Sequence, residues 1–114
     1  MSDCLFCKIV ARTIPAALVY EDDLVVAFDD IHPQAPTHAL VIPRKHVTSM
    51  AELQSSEAEL LGCLMFAGNK VAKIKGIAES GYRAVINTGA HGGQTVFHLH
   101  LHILGGRHLG WPPG

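Results

Sequence analysis

Residues 96–106, VFHLHLHILGG, form the stretch that decides the fold of this chain. Its three histidines, His98, His100 and His102, alternate with aliphatic residues. Because strand side chains point alternately to two faces, the pattern predicts a strand over residues 96–104 with the imidazoles on one face. Positions i, i+2 and i+4 do not share a helix face, which excludes a helix. A solvent-facing strand with incidental histidines is the alternative, but a row of imidazoles favours a chemical role.

Length and composition place the chain among ordinary globular proteins. Its 114 residues fit a single domain over residues 1–114, and a hydrophobic content of 48% allows one modest core. The formal net charge of −1 argues against nucleic-acid binding, which needs a basic surface. No apolar run approaches the length of about 20 residues that spans a bilayer, so no membrane partner is expected.

The start of the chain and its cysteines indicate a compartment. Residues 1–4 lack the basic start and apolar core of a signal peptide, which predicts a cytoplasmic protein. Thiols stay reduced in the cytoplasm. Because Cys4, Cys7 and Cys63 are an odd number, metal binding or free thiols are favoured over a disulfide framework.

Hydrophobic patterning predicts an α+β fold. The predicted strands cover residues 17–20, 24–28, 38–43, 82–87 and 96–104, and a short helix is predicted over residues 4–11. A long helix begins at a capping box of Ser56 and Glu59 and ends at Gly76. Strands outnumber long helices without regular alternation, which favours a mainly antiparallel five-stranded sheet.

Two glycines lie inside the predicted long helix. Gly62 and Gly68 each cost up to about 1 kcal/mol relative to alanine at an interior helix position. We expect a close approach to the sheet or to a second subunit to compensate for this loss.

A glycine-rich loop, residues 87–95, directly precedes the histidine stretch. Successive backbone N–H groups in such a loop make an anion-binding concavity. The imidazoles that follow are suited to nucleophilic or acid–base chemistry, because neutral histidine is abundant near pH 7. The combination is specific, whereas a glycine loop alone is more typical of a plain turn.

Residues 92–107, GGQTVFHLHLHILGGR, resemble the signature of the histidine triad (HIT) family. Residues 30–38, residues 41–46 and the ending WPPG at 111–114 are similar to the Hint branch of that family. That branch contains purine nucleoside phosphoramidases, which are homodimers of α+β subunits. The resemblance therefore implies a homodimer that acts on purine nucleotides.

The resemblance also implies catalytic roles for the three histidines. His100 would attack the α-phosphorus and form a covalent nucleotidyl-histidine. His102 would contact the phosphoryl oxygens and stabilise their charge. His98 would orient His100 and fix which ring nitrogen carries its proton. His38, at the start of a strand, is interpreted as structural.

The same resemblance implies a nucleotide pocket. Asp30 would hold the ribose hydroxyls, although it could be only a turn former. Phe28 and Ile9 could equally be core residues, and Thr95 stands where the Hint branch has serine. The implied nucleotide-binding residues are Leu5, Phe6, Ile9, Phe28, Asp30, Ile31, Asn87, Gly93, Gln94 and Thr95.

The Cys4-x-x-Cys7 pair is suited to a metal ion, but a zinc site needs four ligands. Some members of the Hint branch lack these cysteines, whereas others bind structural zinc through residues that correspond to Cys4, Cys7, His46 and His98. Two free thiols are the alternative, and a redox pair is disfavoured because no thioredoxin-like alternation surrounds it. No organic cofactor is expected.

The favoured function is hydrolysis of purine nucleoside 5′-phosphoramidates, with release of AMP or GMP. A dinucleoside polyphosphate hydrolase with the same nucleophile is the first alternative, and the WPP of residues 111–113 disfavours it. A non-enzymatic nucleotide-binding zinc protein is the second. The intact triad argues against it, because a pure binder does not need His100.

Overall fold

The computed structural model describes residues 3–114, so residues 1 and 2 of the predicted domain lie outside the described residues. In chain order the elements are α1 (Leu5–Val10), β1 (Leu18–Glu21), β2 (Val25–Asp29), β3 (Thr37–Pro43), α2 (Ala58–Ile74), β4 (Tyr82–Val85) and β5 (Leu101–Gly105). The strands form one antiparallel sheet in the order β1-β2-β3-β5-β4. The predicted α+β fold with a short N-terminal helix and one long helix is confirmed.

The sheet separates two apolar clusters, because neighbouring residues of a strand face opposite sides. On β2, Val25 and Ala27 pack in the cluster that contains α2. Val26 and Phe28 pack in the cluster that contains α1. The long helix and the short helix therefore cover opposite faces of one sheet. Within residues 3–114, no helix combines the length and apolarity needed to cross a membrane.

The predicted capping box at the start of α2 is wrong. Gln54 and Glu57 form the box instead of Ser56 and Glu59, and Glu57 Oε1 accepts the Gln54 N–H at 3.0 Å. One turn of 3-10 helix then precedes α2. Both pairs have the same i, i+3 spacing, so the local pattern does not separate them. Lys45 does, because its Nζ pairs with Glu57 Oε2 at 2.7 Å.

The glycines of α2 behave differently from one another. A Cβ on Gly68 would lie 2.9 Å from Leu101 Cδ2 and 3.0 Å from Ile103 Cδ1, which confirms the predicted close approach to the sheet. A Cβ on Gly62 would meet nothing within 4 Å. Its approach to a second subunit therefore remains a prediction. Gly76 has a φ of +74° and ends the helix as predicted.

β5 begins at Leu101 rather than at Val96, so the predicted strand is too long at its start. The ladder with β3 ends there because Pro43 has no N–H to donate. The Pro43 carbonyl instead accepts a hydrogen bond from His98 Nε2 at 2.9 Å. The residues just before β5 still alternate between the two sides of the sheet, as predicted. Leu99 is buried on the α2 side, whereas His98 packs against the ring of an α1 residue on the other side.

Candidate active site

A cavity of about 800 Å³ opens on the α1 side of the sheet. Its apolar lining includes Phe6 and Phe28, whose rings meet edge to face at 5.5 Å between centroids. Its polar lining includes Asp30, His100 and His102. Most of the predicted nucleotide-binding and catalytic residues line this one cavity: Leu5, Phe6, Ile9, Phe28, Asp30, Ile31, Gly93, Thr95, His100 and His102.

Three of the predicted nucleotide-binding and catalytic residues, Asn87, Gln94 and His98, lie outside the cavity lining. Gln94 is buried, and its Nε2 donates to the Thr48 carbonyl at 2.8 Å. Its Oε1 accepts the Gly89 N–H at 2.9 Å. The Gln94 side chain therefore supports the glycine-rich loop, and contact of Gln94 with a nucleotide stays a prediction. Contact of Asn87 with a nucleotide stays a prediction.

Asp30 uses its two carboxylate oxygens differently. Oδ1 accepts the His32 N–H at 2.8 Å and closes the turn after β2. Oδ2 lies 3.5 Å from His38 Nε2, and the side chain keeps 19% of its exposure in the cavity. A carboxylate oxygen has more than one lone pair, so it can also accept a ligand hydroxyl. Turn formation and ligand contact are thus compatible in this residue.

The position of the His100 proton follows from its hydrogen bond. His100 Nδ1 lies 2.7 Å from the His98 carbonyl oxygen, which can only accept. Nδ1 must therefore carry the proton, and Nε2 of the neutral ring keeps its lone pair. The orienting role of His98 stays a prediction, and the contact that would serve it is the main-chain carbonyl rather than the imidazole.

His38 links Gln34 to His102 through hydrogen bonds, a role that was not expected from the sequence. The Gln34 N–H donates to His38 Nδ1 at 3.0 Å, so His38 Nε2 carries the proton of the neutral ring. His38 Nε2 donates to His102 Nδ1 at 2.9 Å. His102 must then carry its own proton on Nε2. The sequence does show that His38 shares a strand face with Leu40. It does not show that β3 pairs with β5, and this pairing brings His38 to His102.

Burial keeps these two imidazoles neutral near pH 7. Burial, followed by the nearby His100 and His38 rings, lowers the pKa of His102 to about 4. Burial also lowers the pKa of His38, although the Asp30 carboxylate opposes this shift. The hydrogen bonds from Gln34 through His38 to His102 require both rings to be neutral, because each ring must then donate through one nitrogen and accept through the other.

The predicted metal ligands converge beside the cavity. Cys4 Sγ lies 3.4 Å from His98 Nδ1, and Cys7 Sγ lies 3.6 Å from the same atom. His46 Nδ1 lies 3.2 Å from both Cys7 Sγ and His98 Nδ1. Tetrahedral zinc, with bonds of about 2.3 Å to sulfur and about 2.0 Å to nitrogen, needs S···N separations of about 3.5 Å and N···N separations of about 3.3 Å. The four side chains therefore fit a zinc ion.

The second nitrogen of His98 supports the same interpretation. Its Nε2 donates to the Pro43 carbonyl at 2.9 Å, which leaves the Nδ1 lone pair directed at the cysteines. Metal-binding histidines ordinarily donate their other N–H in this way. The His98 ring is fully buried, so it supports the site without touching a ligand in the cavity.

Comparison with known proteins agrees with this geometry. Residues 11–109 match the family described as HIT domain. The chain belongs to the HIT domain family. Among solved structures, the crystal structure of a HIT family hydrolase from Legionella pneumophila Philadelphia 1 superposes with a TM-score of 0.95 at 49% identity. That match covers 98% of this chain and all of the Legionella chain (100%).

Curated HIT relatives are similar over nearly the whole chain. An uncharacterized HIT-like protein of Synechococcus elongatus is 54% identical over 98% of this chain and 97% of its own. The 14 kDa zinc-binding protein of Zea mays is 49% identical, covering 99% of this chain and 89% of its own. The purine nucleoside phosphoramidase of Escherichia coli K12 is also 49% identical, covering 93% and 89%.

Proposed function

We propose that this HIT protein hydrolyses purine nucleoside 5′-phosphoramidates and releases AMP or GMP through a nucleotidyl-histidine on His100. The hydrogen bond from His100 Nδ1 to the His98 carbonyl carries the proposal, because it leaves a lone pair on Nε2 of a cavity-lining ring. The name of the Escherichia coli relative supports the choice of substrate.

In this proposal, each part of the nucleotide contacts a different set of cavity residues. The purine packs against the apolar wall that includes Phe6 and Phe28, and the ribose hydroxyls reach the Asp30 carboxylate. His100 Nε2 attacks the α-phosphorus and forms a P–Nε2 bond, the P–N bond to the amine breaks, and the departing amine takes a proton from water. His102 Nε2–H donates to a phosphoryl oxygen as charge develops there. Water then hydrolyses the nucleotidyl-histidine.

We also propose that the cluster of Cys4, Cys7, His46 and His98 holds a structural zinc ion. The fit of its interatomic distances and the name of the Zea mays relative support this assignment. Zinc would supply a rigid link between α1 and the sheet, without redox chemistry.

Two other functions differ in what they require. A dinucleoside polyphosphate hydrolase would use the same His100 nucleophile, so the cavity alone does not separate the two substrates. A nucleotide-binding zinc protein without activity would not need a nucleophile with an oriented lone pair. The geometry of His100 therefore favours an enzyme.

Replacement of the nucleophile tests the proposal. For His100→Ala, we expect kcat/KM on adenosine 5′-phosphoramidate to fall at least about 1,000-fold, because no other group forms the covalent intermediate. AMP affinity measured by calorimetry should stay within about threefold, since the purine and ribose contacts are intact. His108→Ala, which replaces an exposed histidine outside the cavity lining, is the matched control and should turn over as wild type does.

Wild-type turnover by the His100→Ala variant would contradict the nucleophile assignment. A wild-type protein that hydrolyses diadenosine polyphosphates faster than adenosine 5′-phosphoramidate would instead favour the alternative substrate.

A further inference from the structure

We infer that the four-ligand metal cluster and the nucleotide cavity are coupled through α1, so that Zn²⁺ and a purine nucleotide each strengthen binding of the other. The inference rests on the proposed function, because it takes the cavity as the nucleotide site. It adds a regulatory property to that site: nucleotide affinity that depends on metal occupancy.

α1 belongs to both sites at once. Cys4 is its N-cap and Cys7 lies in its first turn, and both side chains belong to the cluster. Leu5, Phe6 and Ile9 of the same helix line the cavity. The helix spans only six residues, Leu5–Val10. An isolated helix of that length is unstable in water, so its position depends on the contacts at its two sides.

Phe6 is one physical link between the two sites. It lies between the two cysteines in sequence and is buried. Its ring meets His98 of the cluster at 5.9 Å and His100 of the cavity at 5.2 Å between centroids, both edge to face. Any shift of α1 that follows loss of the cluster therefore moves the purine wall and the ring that packs on His100.

His98 provides a second link through the main chain. Its Nδ1 belongs to the cluster, whereas its carbonyl accepts the His100 Nδ1 hydrogen bond. Both contacts belong to one residue that is fully buried. An ion that holds the His98 ring therefore also holds the carbonyl that orients His100.

Coupling of this kind is reciprocal. If Zn²⁺ increases AMP affinity by some factor, AMP must increase Zn²⁺ affinity by the same factor. Ordered contacts between two adjoining sites produce factors of about fivefold or more. We therefore expect AMP to bind at least about fivefold more tightly to the zinc-loaded protein than to the metal-free protein.

The test measures both directions on the full chain. Calorimetry gives the AMP dissociation constant of protein loaded with one equivalent of Zn²⁺ and of protein stripped by a chelator. Competition with a chromophoric chelator gives the Zn²⁺ dissociation constant with and without saturating AMP. Cys63→Ser, which removes the cysteine of α2, is the matched control and should show the wild-type coupling.

Two variants distinguish loss of Zn²⁺ binding from loss of the contact that couples the cluster to the cavity. Cys7→Ser should weaken Zn²⁺ binding and lower AMP affinity to the metal-free value. Phe6→Leu should still bind one Zn²⁺, since the four ligands remain, but its coupling factor should fall below about twofold as the aromatic contact is lost. Hydrogen exchange should show that metal removal exposes the amides of α1 while β2 and β3 stay protected.

The outcomes are distinct. Equal AMP affinity with and without Zn²⁺ would overturn the coupling while leaving the proposed function intact. Failure of AMP to bind either form would contradict the proposed nucleotide site itself. Absence of stoichiometric Zn²⁺ binding, or loss of protection throughout the sheet on metal removal, would also overturn the inference.

Discussion

His100 and His102 are neighbours on the same side of the chain, yet their Nδ1 atoms have opposite partners. His100 Nδ1 faces a carbonyl oxygen, whereas His102 Nδ1 faces the N–H of His38. One imidazole therefore offers a lone pair to the cavity, and the other offers a proton. The proposed roles require this difference, since a nucleophile needs a free lone pair and a phosphate-binding group needs an N–H.

The neutrality of His102 predicts a pH dependence of stability. Its pKa is about 4 in the folded protein and 6.5 in a free side chain, so the unfolded chain binds more protons between these values. The stability contribution is present above pH 6.5 and is lost as the pH falls towards 4. We expect the urea midpoint to fall less between pH 7 and pH 5 for His102→Gln than for wild type.

His91→Gln is the control for this comparison, because its side chain is exposed and its loss should leave the pH profile unchanged. Parallel profiles for wild type and His102→Gln would show that the buried imidazole does not titrate as inferred.

At the scale of elements, α2 and β5 are in contact because one residue of the helix has no side chain. The missing Cβ of Gly68 admits Leu101 and Ile103, both buried. The same β5 presents His102 on its other face, so the packing of α2 determines where the candidate active site lies. A helix held farther from the sheet would change the position of that strand.

Gly68→Ala tests this contact. Alanine gains up to about 1 kcal/mol in helix propensity, but the Cβ lies under 3.0 Å from Leu101 Cδ2 in a close-packed core. Overpacking of this kind costs about 1–3 kcal/mol, so we expect a net fall in the free energy of unfolding. The double variant Gly68→Ala with Leu101→Val should recover part of the loss, as urea denaturation would measure.

A double variant that loses less free energy of unfolding than the two single variants lose in sum would support the contact. Strictly additive effects of the two substitutions would show that Gly68 and Leu101 do not interact.

At the scale of the whole molecule, the two faces of the sheet differ in what they expose. The α1 face contains the cavity and the metal cluster. The outer side of α2 presents large apolar side chains to solvent, among them Phe66 at 69% exposure and Ile74 at 56%. Exposed apolar groups close together on one helix are typical of an interaction surface. Gly62, whose Cβ position is open, lies on the same helix.

The homodimer implied by the family resemblance predicts the mass in solution. We expect light scattering at micromolar concentration to give twice the chain mass of 12.2 kDa. Phe66→Glu should shift the protein towards the single-chain mass, because it places a charge on the apolar side of α2. Leu24→Glu, which places the same charge on another exposed apolar residue, in the turn before β2, should remain dimeric. A wild-type mass of one chain would contradict the prediction.

Several features followed from the sequence because they depend on neighbours in the chain. The alternation of residues 96–104 determined which side chains share a face, and Gly76 determined the end of α2 through its positive φ. The predicted capping box was wrong because two overlapping i, i+3 pairs fit the same local pattern. Only the contact of Lys45 with Glu57 selects one of them. Local rules therefore predicted which elements form and which faces side chains share, but they predicted the first residue of an element less well.

The chemical state of the site depended on contacts between residues far apart in sequence. His38 and His102 are 64 positions apart, and Cys4 and His98 are 94 positions apart. The sequence determined that three imidazoles share one face beside a glycine-rich loop, because the period of a strand is a local property. Only the tertiary structure decided which nitrogen of each imidazole carries the proton, because a proton is placed by whichever donor or acceptor the fold brings within reach.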